Sequence, residues 1–363
     1  MGAATTNAGN WKRSVANWIA RRHPALARAR LTHAISRNAP GLMAQANVPG
    51  LQVSFVFGDG EPVTLCFGVA SNATREVMTD RHRIRLGSIS KPVATMVFLQ
   101  QIDAGVMGLD EPLGAELAAL CPHLPREFVD RVTPRLALSH ATGLAGQHPP
   151  RTRVQMRSCD WLCDASLVRV ARQPGEASEY CGAGYAMLEA VLEQRRGKCF
   201  AEIAREGMLR PLGREWMGFE CGDADDLGRG EMICPDHAVD GSVLTTFPVA
   251  TVSSSGLLGT TGDVCRVLRD GMFTSAMLSE RMRRERLVPQ PVGMSGAEFT
   301  LGLHLYKGSD PRSLGHGGHR EGHRSMVVVV PVKRAVLCAA ANSENGDVVI
   351  RRLTGLFRGI TIG

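Results

Sequence analysis

Leu86-Gly87-Ser88-Ile89-Ser90-Lys91-Pro92-Val93-Ala94-Thr95-Met96-Val97-Phe98-Leu99 joins a serine, a lysine three residues later and a largely apolar run. A helix opening near Ser88 would bring Ser88 and Lys91 onto one face, because residues i and i+3 are neighbours on a helix surface. The Lys91 amine would then lie beside the Ser88 hydroxyl. Ser88 would also stand at the positive end of that helix, where backbone N–H groups without intrahelical partners favour developing negative charge. Pro92 suits a first helical turn, which lacks most N–H partners in any case. The residues from Val93 to Leu99 suit a helix buried in the core. Read this way, Ser88 is a nucleophile and Lys91 its neighbour in proton transfer; the same spacing also occurs by chance on surface helices.

Later signals follow in a consistent order. They are Leu138-Ser139-His140-Ala141-Thr142-Gly143-Leu144, then Pro174-Gly175-Glu176 ahead of Tyr180-Cys181-Gly182-Ala183-Gly184-Tyr185, then Leu209-Arg210-Pro211-Leu212-Gly213. Ser255-Gly256-Leu257-Leu258-Gly259-Thr260-Thr261-Gly262-Asp263 and Gly315-His316-Gly317-Gly318 complete the series. With Ser88-Ile89-Ser90-Lys91, this set resembles the serine β-lactamase and penicillin-binding-protein superfamily. Within it, the set looks like the class C β-lactamase-like esterase and acyltransferase branch, which includes the lovastatin-type acyltransferase. The resemblance runs from about Val48 to the C-terminus. It implies an α+β fold, an antiparallel sheet flanked by helices with an inserted mainly helical domain, and a site between the two. On this chain, residues 1–105 and 296–363 would form the sheet domain and 106–295 the helical insertion.

The bulk properties agree with an enzyme of that size. With 363 residues and 44% hydrophobic content, the chain can bury one large core or two that share a cleft, which excludes a small binding module. Its 42 Lys+Arg against 35 Asp+Glu give +7. The basic residues are scattered except near Trp11 to Arg30 and Arg281 to Arg286, and aromatic residues, at 5%, are nowhere interleaved with arginine. A nucleic-acid partner is therefore not expected. The longest apolar runs, such as Met326 to Pro331, are strand-length and too short to cross a bilayer. The segment from Asn10 to Arg22 is charged without a following apolar stretch or cleavage site. Met1-Gly2-Ala3-Ala4-Thr5-Thr6 fits a loose myristoylation pattern that short sequences match by chance. Ten dispersed cysteines, Cys66, Cys121, Cys159, Cys163, Cys181, Cys199, Cys221, Cys234, Cys265 and Cys338, read as reduced thiols, so a cytoplasmic location is expected.

Read coarsely, a helix covers about Trp11 to Ser36. Strands follow at Leu51 to Phe57 and Val63 to Gly68, joined by the hairpin signal Gly58-Asp59-Gly60. The middle of the chain predicts helices and Pro/Gly-rich loops, including His148-Pro149-Pro150 and Gly222 to Gly230. Thr300 to Lys307, Arg312 to Gly317, Ser325 to Val330 and Ala335 to Ala340 predict successive strands, and Val348 to Phe357 a closing helix. The first and last parts can share one antiparallel sheet.

The resemblance places Tyr180 as a second proton-handling residue, general base and then general acid. Neutral serine is a poor nucleophile and needs a positioned acceptor for its proton. Whether Lys91 or Tyr180 takes that proton is left open by the sequence. The family often carries Tyr-x-Asn, whereas here the third position is Gly182; losing that amide weighs against penicillin-like recognition. His316-Gly317-Gly318 stands where β-lactamases have Lys-Thr-Gly. Its glycines would let a substrate approach closely. The His319 N–H, paired with the Ser88 N–H, would form an oxyanion hole. His316 either positions the tyrosine or ligand, or is a polar residue satisfied within the sheet. His316, His319 and His323 invite a metal reading, as do Cys221, Cys234 and His237. Strand alternation separates His316 from His319, and the cysteine set lacks a second close pair. No metal and no cofactor is expected.

The leading expectation is a cytosolic serine acyl-transfer enzyme with an acyl-Ser88 intermediate. It would take an acyl group from a small-molecule donor and pass it to an alcohol, an amine or water, as a transacylase, transesterase or esterase of a small metabolite. Natural-product tailoring is the analogy the family offers. The alternatives are a β-lactamase or D-alanyl-D-alanine peptidase-like hydrolase, and a ligand-binding protein that keeps the fold without catalysis.

Overall fold

The structure, a computed structural model, describes residues 23–145, 157–214, 216–220, 232–290, 298–306 and 313–362. Its strands are β1 (Gly50–Phe57), β2 (Val63–Gly68), β3 (Ile84–Arg85), β4 (Gly218–Phe219), β5 (Leu257–Gly259), β6 (Glu298–Thr300), β7 (Leu303–Tyr306), β8 (Ser313–Arg320), β9 (His323–Val330) and β10 (Ala335–Ala341). Seven of them form one antiparallel sheet in the order β2-β1-β10-β9-β8-β7-β6. The two ends of the chain meet where β1 pairs with β10, Val53 opposite Ala339. The α+β architecture read from the sequence is therefore the one observed.

The main helices are α1 (Pro24–Ala46), α2 (Ser90–Asp103), α3 (Ala183–Arg196), α4 (Thr261–Phe273) and α5 (Gly346–Thr361). α1 and α5 cover one sheet face, where Leu31, Ile35, Leu353 and Phe357 pack on Val53, Phe55, Leu337 and Ala339. α4 lies on the opposite face against β1 and β10, with Val264 and Val267 in one core with Val336, Cys338 and Ala340. β10 is buried along its whole length, and its alanines let helices approach on both sides.

The first helix differs from expectation. Residues 11–22 lie outside the described residues, and α1 continues past Ser36 to Ala46 with Pro40 inside it. Its buried stripe, Ala27, Leu31, Ile35, Ala39 and Met43, repeats every fourth residue through the proline. That apolar burial outweighs the one backbone bond Pro40 forfeits. Of the predicted strand 300–307, Lys307 lies outside the described residues and the rest is split: Gly302, at φ +79, turns the chain between β6 and β7.

The middle of the chain is mainly helical, as expected. It also contributes β4 and β5, which join β3 in a small second sheet of order β3-β5-β4. Strands of two or three residues carry no periodicity to read. α4 falls in the same span yet packs on the large sheet. Among the described residues no helix is long and apolar enough to cross a membrane.

Ile35 is wholly buried between α5 and the sheet. We predict that Ile35→Ala lowers unfolding free energy by about 2–5 kcal/mol in a urea titration, the range for emptying a tightly packed site.

Candidate active site

Ser88 lies on a turn that Gly87 makes possible. Gly87 sits at φ +54, and a Cβ there would fall between 2.9 and 3.1 Å from the main-chain O, C and N of His319. Only glycine takes that conformation cheaply while letting β8 approach so closely. Helix α2 starts at Ser90, so Ser88 and Ile89 form the turn leading into it rather than its first residues. Ser90 locks this turn: its Oγ donates to Gly87 O at 2.5 Å and accepts the Leu257 N–H at 2.8 Å. Ser88 and Lys91 still meet, because Lys91 N–H donates to Ser88 O at 3.1 Å and closes a tight turn.

Lys91 is only 2% exposed. Its Nζ donates to the Ser254 carbonyl at 3.1 Å and lies 3.5 Å from Ser88 Oγ. The Tyr180 hydroxyl is 2.9 Å from the same Oγ, and Lys91 Nζ sits 4.9 Å from the centre of the Tyr180 ring. Ser254 leaves no mark in the sequence, because its contribution is a main-chain carbonyl.

Three histidines surround Tyr180, with ring centres at 4.7 Å (His140), 5.8 Å (His304) and 5.7 Å (His316). His140, at φ +58, accepts the Glu179 N–H at its carbonyl at 2.7 Å. It thereby holds the loop carrying Tyr180. Burial, and then the Lys91 charge, lower His304 to about 4. Burial, Lys91 and His304 hold His140 well below the usual imidazole range. Burial, then His304 and Lys91, do the same to His316. All three rings are neutral near pH 7. His140 is quoted among the sequence motifs without a role, and His304 is missed altogether, since a single histidine on a short strand carries no pattern.

On β8 the histidines alternate as expected. His316 is buried, its Nδ1–H donating to Gly317 O at 2.7 Å. The His319 side chain is 61% exposed, with Nε2 3.9 Å from Glu344. β7 pairs with β8 only over Ser313 to Gly315, so the following residues present their edge to the Ser88 turn. The main-chain N–H groups of Ser88 and His319 belong to the two segments that abut at Gly87. The two glycines differ: a Cβ on Gly318 would fall 2.1 Å from Ser325 Oγ and 2.2 Å from Leu86 O, whereas one on Gly317 meets nothing within 4 Å.

Ser88, Tyr180, His304 and His316 line a cleft of about 720 Å³. Thr246 to Ala250, Arg320 and Arg324 also line it. Those arginines are paired, Arg320 with Glu220 and Arg324 with Glu344. Gly182 is the buried residue before α3 and offers no amide to the cleft.

The metal readings do not assemble. His323 pairs with Asp236, away from exposed His319, and His237 is held between Asn342 O and the Asn72 N–H. Cys221 lies outside the described residues. Among the described residues no group of three or more potential ligands could hold a metal ion. The nine described cysteines are all unbridged.

The sheet and its flanking helices are those of a β-lactamase-like serine hydrolase. The chain belongs to the Beta-lactamase family, whose model matches residues 35–356. It is 26% identical over 344 residues to penicillin-binding protein 4 of Amycolatopsis lactamdurans, covering 87% of this chain and 86% of that one. It is 24% identical over 315 residues to the D-aminopeptidase of Brucella anthropi, covering 82% of this chain and 57% of that longer protein. The crystal structure of SurE superposes with a TM-score of 0.75 at 24% identity, over 93% of this chain and 78% of SurE. The D-amino acid amidase of Ochrobactrum anthropi superposes with a TM-score of 0.72 at 19% identity, over 91% and 97%. These two likenesses show the fold.

Two outcomes follow from the geometry. Gly318→Ala should cost about 1–3 kcal/mol through overpacking, while Gly317→Ala should leave the melting temperature within about one degree and alter only turnover. A thermal melt beside a steady-state assay separates them. The three depressed imidazoles favour folding fully above their unfolded value of about 6.5. That contribution disappears as pH falls through about 4 for His304. The melting temperature should therefore drop as pH is lowered from about 6.5 to 4, and drop less steeply in His304→Gln.

Proposed function

We propose that Ser88 takes an acyl group from an ester, thioester or amide and passes it to an alcohol, an amine or water. The observation that carries this reading is the convergence on Ser88 Oγ of the Tyr180 hydroxyl at 2.9 Å and Lys91 Nζ at 3.5 Å, at the floor of an open cleft. The Tyr180 hydroxyl donates to Ser88 Oγ in the structure, so its own proton must first pass to the Lys91 amine; as Oγ bonds to the substrate carbonyl carbon, the Ser88 proton then passes to the Tyr180 oxygen. Lys91 Nζ, 4.9 Å from the centre of the Tyr180 ring, is the amine placed to hold the phenol's proton. The developing oxyanion is met by the N–H groups of Ser88 and His319. Tyr180 then returns the proton to the leaving group as its bond to the acyl carbon breaks. In the second half-reaction the acceptor loses a proton to Tyr180, attacks the ester, and Ser88 regains its hydrogen.

We assign a small metabolite as substrate and favour transfer over hydrolysis, with a reducing, cytoplasmic setting that the unbridged thiols support. A second reading is hydrolysis of β-lactams or of D-amino-acid amides and peptides. The names of the relatives, penicillin-binding protein and D-aminopeptidase, favour it, and the missing amide at Gly182 weighs against its β-lactam form.

The test is intact-protein mass spectrometry after brief exposure to activated esters, acyl thioesters, D-amino-acid amides and nitrocefin, with and without added alcohols and amines. A Ser88-dependent adduct that clears faster with an alcohol or amine establishes transfer, and clearance by water alone establishes hydrolysis. No adduct with any donor, together with reversible binding, would overturn the reading in favour of a ligand-binding protein. Ser88→Ala should abolish turnover while remaining folded. Lys91→Ala and Tyr180→Phe should each slow acylation by about 10²- to 10⁴-fold, and near-normal rates in all three would sink the assignment.

A further inference from the structure

We propose that Glu189, on α3 behind the cleft, is a positioning residue for Lys91 that acts through the turn presenting the Ser254 carbonyl. The inference rests on the acyl-Ser88 reading above. Glu189 is 3% exposed. One carboxyl oxygen accepts the Ser253 N–H at 2.7 Å and the other accepts the Ser158 hydroxyl at 2.7 Å. The group therefore ties together two short helices, Ser158–Leu162 and Val252–Ser255. Ser158 Oγ also lies 3.2 Å from Thr251 Oγ1, which accepts the Trp161 indole N–H at 3.0 Å.

The tie matters because of what sits one residue further along. Ser254, next to the pinned Ser253 N–H, gives Lys91 its carbonyl acceptor at 3.1 Å. A helix of four residues does not hold its own shape, since helices that short are unstable without tertiary support. Its internal bonds, such as Ser255 N–H to Thr251 O at 3.2 Å and Ser254 Oγ to Thr251 O at 3.1 Å, fix its curl but not its place. Ser253 Oγ makes only a long contact with Tyr185 O, at 3.4 Å. The short Glu189 bond to the Ser253 N–H is the tie nearest in sequence to the Ser254 carbonyl, beside those of Thr251 to Trp161 and of Leu257 N–H to Ser90 Oγ.

A carboxylate is a costly choice for this position. Burial, with Glu193 one turn away, raises Glu189 to about 7. An apolar side chain would avoid that penalty but leave the Ser253 N–H without its acceptor, while the Ser158 hydroxyl could turn to Ala250 O or Thr251 Oγ1.

The experiment compares Glu189→Leu, Glu189→Gln and Glu189→Asp with the wild type and Ser88→Ala. It reads the acylation rate and KM for p-nitrophenyl acetate, with the Ser88 ester followed by intact mass. Glu189→Leu should lower the acylation rate at least about tenfold with KM changed less than about threefold, as expected when a reacting group is misplaced rather than substrate binding lost. Glu189→Gln should restore the rate to within about threefold. Its carbonyl can take the Ser253 N–H and its amide can donate to Ser158 Oγ. If Glu189→Leu gives no cooperative melt, Glu189→Asp carries the test, because one methylene fewer cannot span both helices. A folded Leu or Asp variant acylating at the wild-type rate, with Ser88→Ala inactive, would overturn the role of Glu189 and leave the function reading standing. Equal losses in the Gln and Leu variants would also overturn it, since charge and not position would then be at stake. Wild-type protein that forms no Ser88 ester would remove the function reading and this inference with it.

Discussion

The buried Lys91 amine is the constraint around which the site is organised. Taking an amine out of water is costly unless hydrogen bonds replace the lost solvent. Here the replacement comes from three separate parts of the chain. Ser254 O, on the turn between α3 and α4, takes one N–H, and Ser88 Oγ lies at 3.5 Å. The faces of Tyr180 and Tyr185 lie 4.9 and 5.6 Å away. Each of those parts must be held in place for the lysine to stay buried. Positioning the site and stabilising this side of the fold are thus the same physical task.

The surrounding polar groups divide that task. Gly87 and Gly318 remove side chains exactly where β8 crosses the Ser88 turn, and Ser90 fastens the turn to β5. His140, His304 and His316 then enclose Tyr180 in rings that burial and the lysine keep neutral. Neutral imidazoles supply polar walls without placing further positive charge beside Lys91. Lys91 Nζ is the amine beside Ser88 Oγ, while Arg320 and Arg324 in the cleft lining are matched by Glu220 and Glu344.

Much of this was legible in the sequence where residue identity and spacing carry the information. The Ser88 and Lys91 pair, Tyr180 before α3, and the glycines of β8 are motifs of side chains at short separations. The longer strands of the large sheet alternate or run apolar over enough residues to be read, whereas β6 and β7, of three and four residues, read as one. What escaped has no such mark. Pro40 looks like a stop, yet α1 passes through it because its buried stripe continues. β3, β4 and β5 are too short for a period. Ser254 contributes only a carbonyl, and His304 and Glu189 are single residues whose neighbours lie far along the chain.

The sequence by itself determined which chemical groups meet at the site, because a hydroxyl, an amine and a phenol are identities that local spacing places on a turn, a helix and a loop. Tertiary structure decided the rest: that Lys91 is buried, that a main-chain carbonyl from Ser254 faces it, and that three histidines around Tyr180 are neutral. Burial and long-range hydrogen bonding set those properties, and both arise only when segments more than 100 residues apart, such as Lys91 and Ser254, are brought into contact.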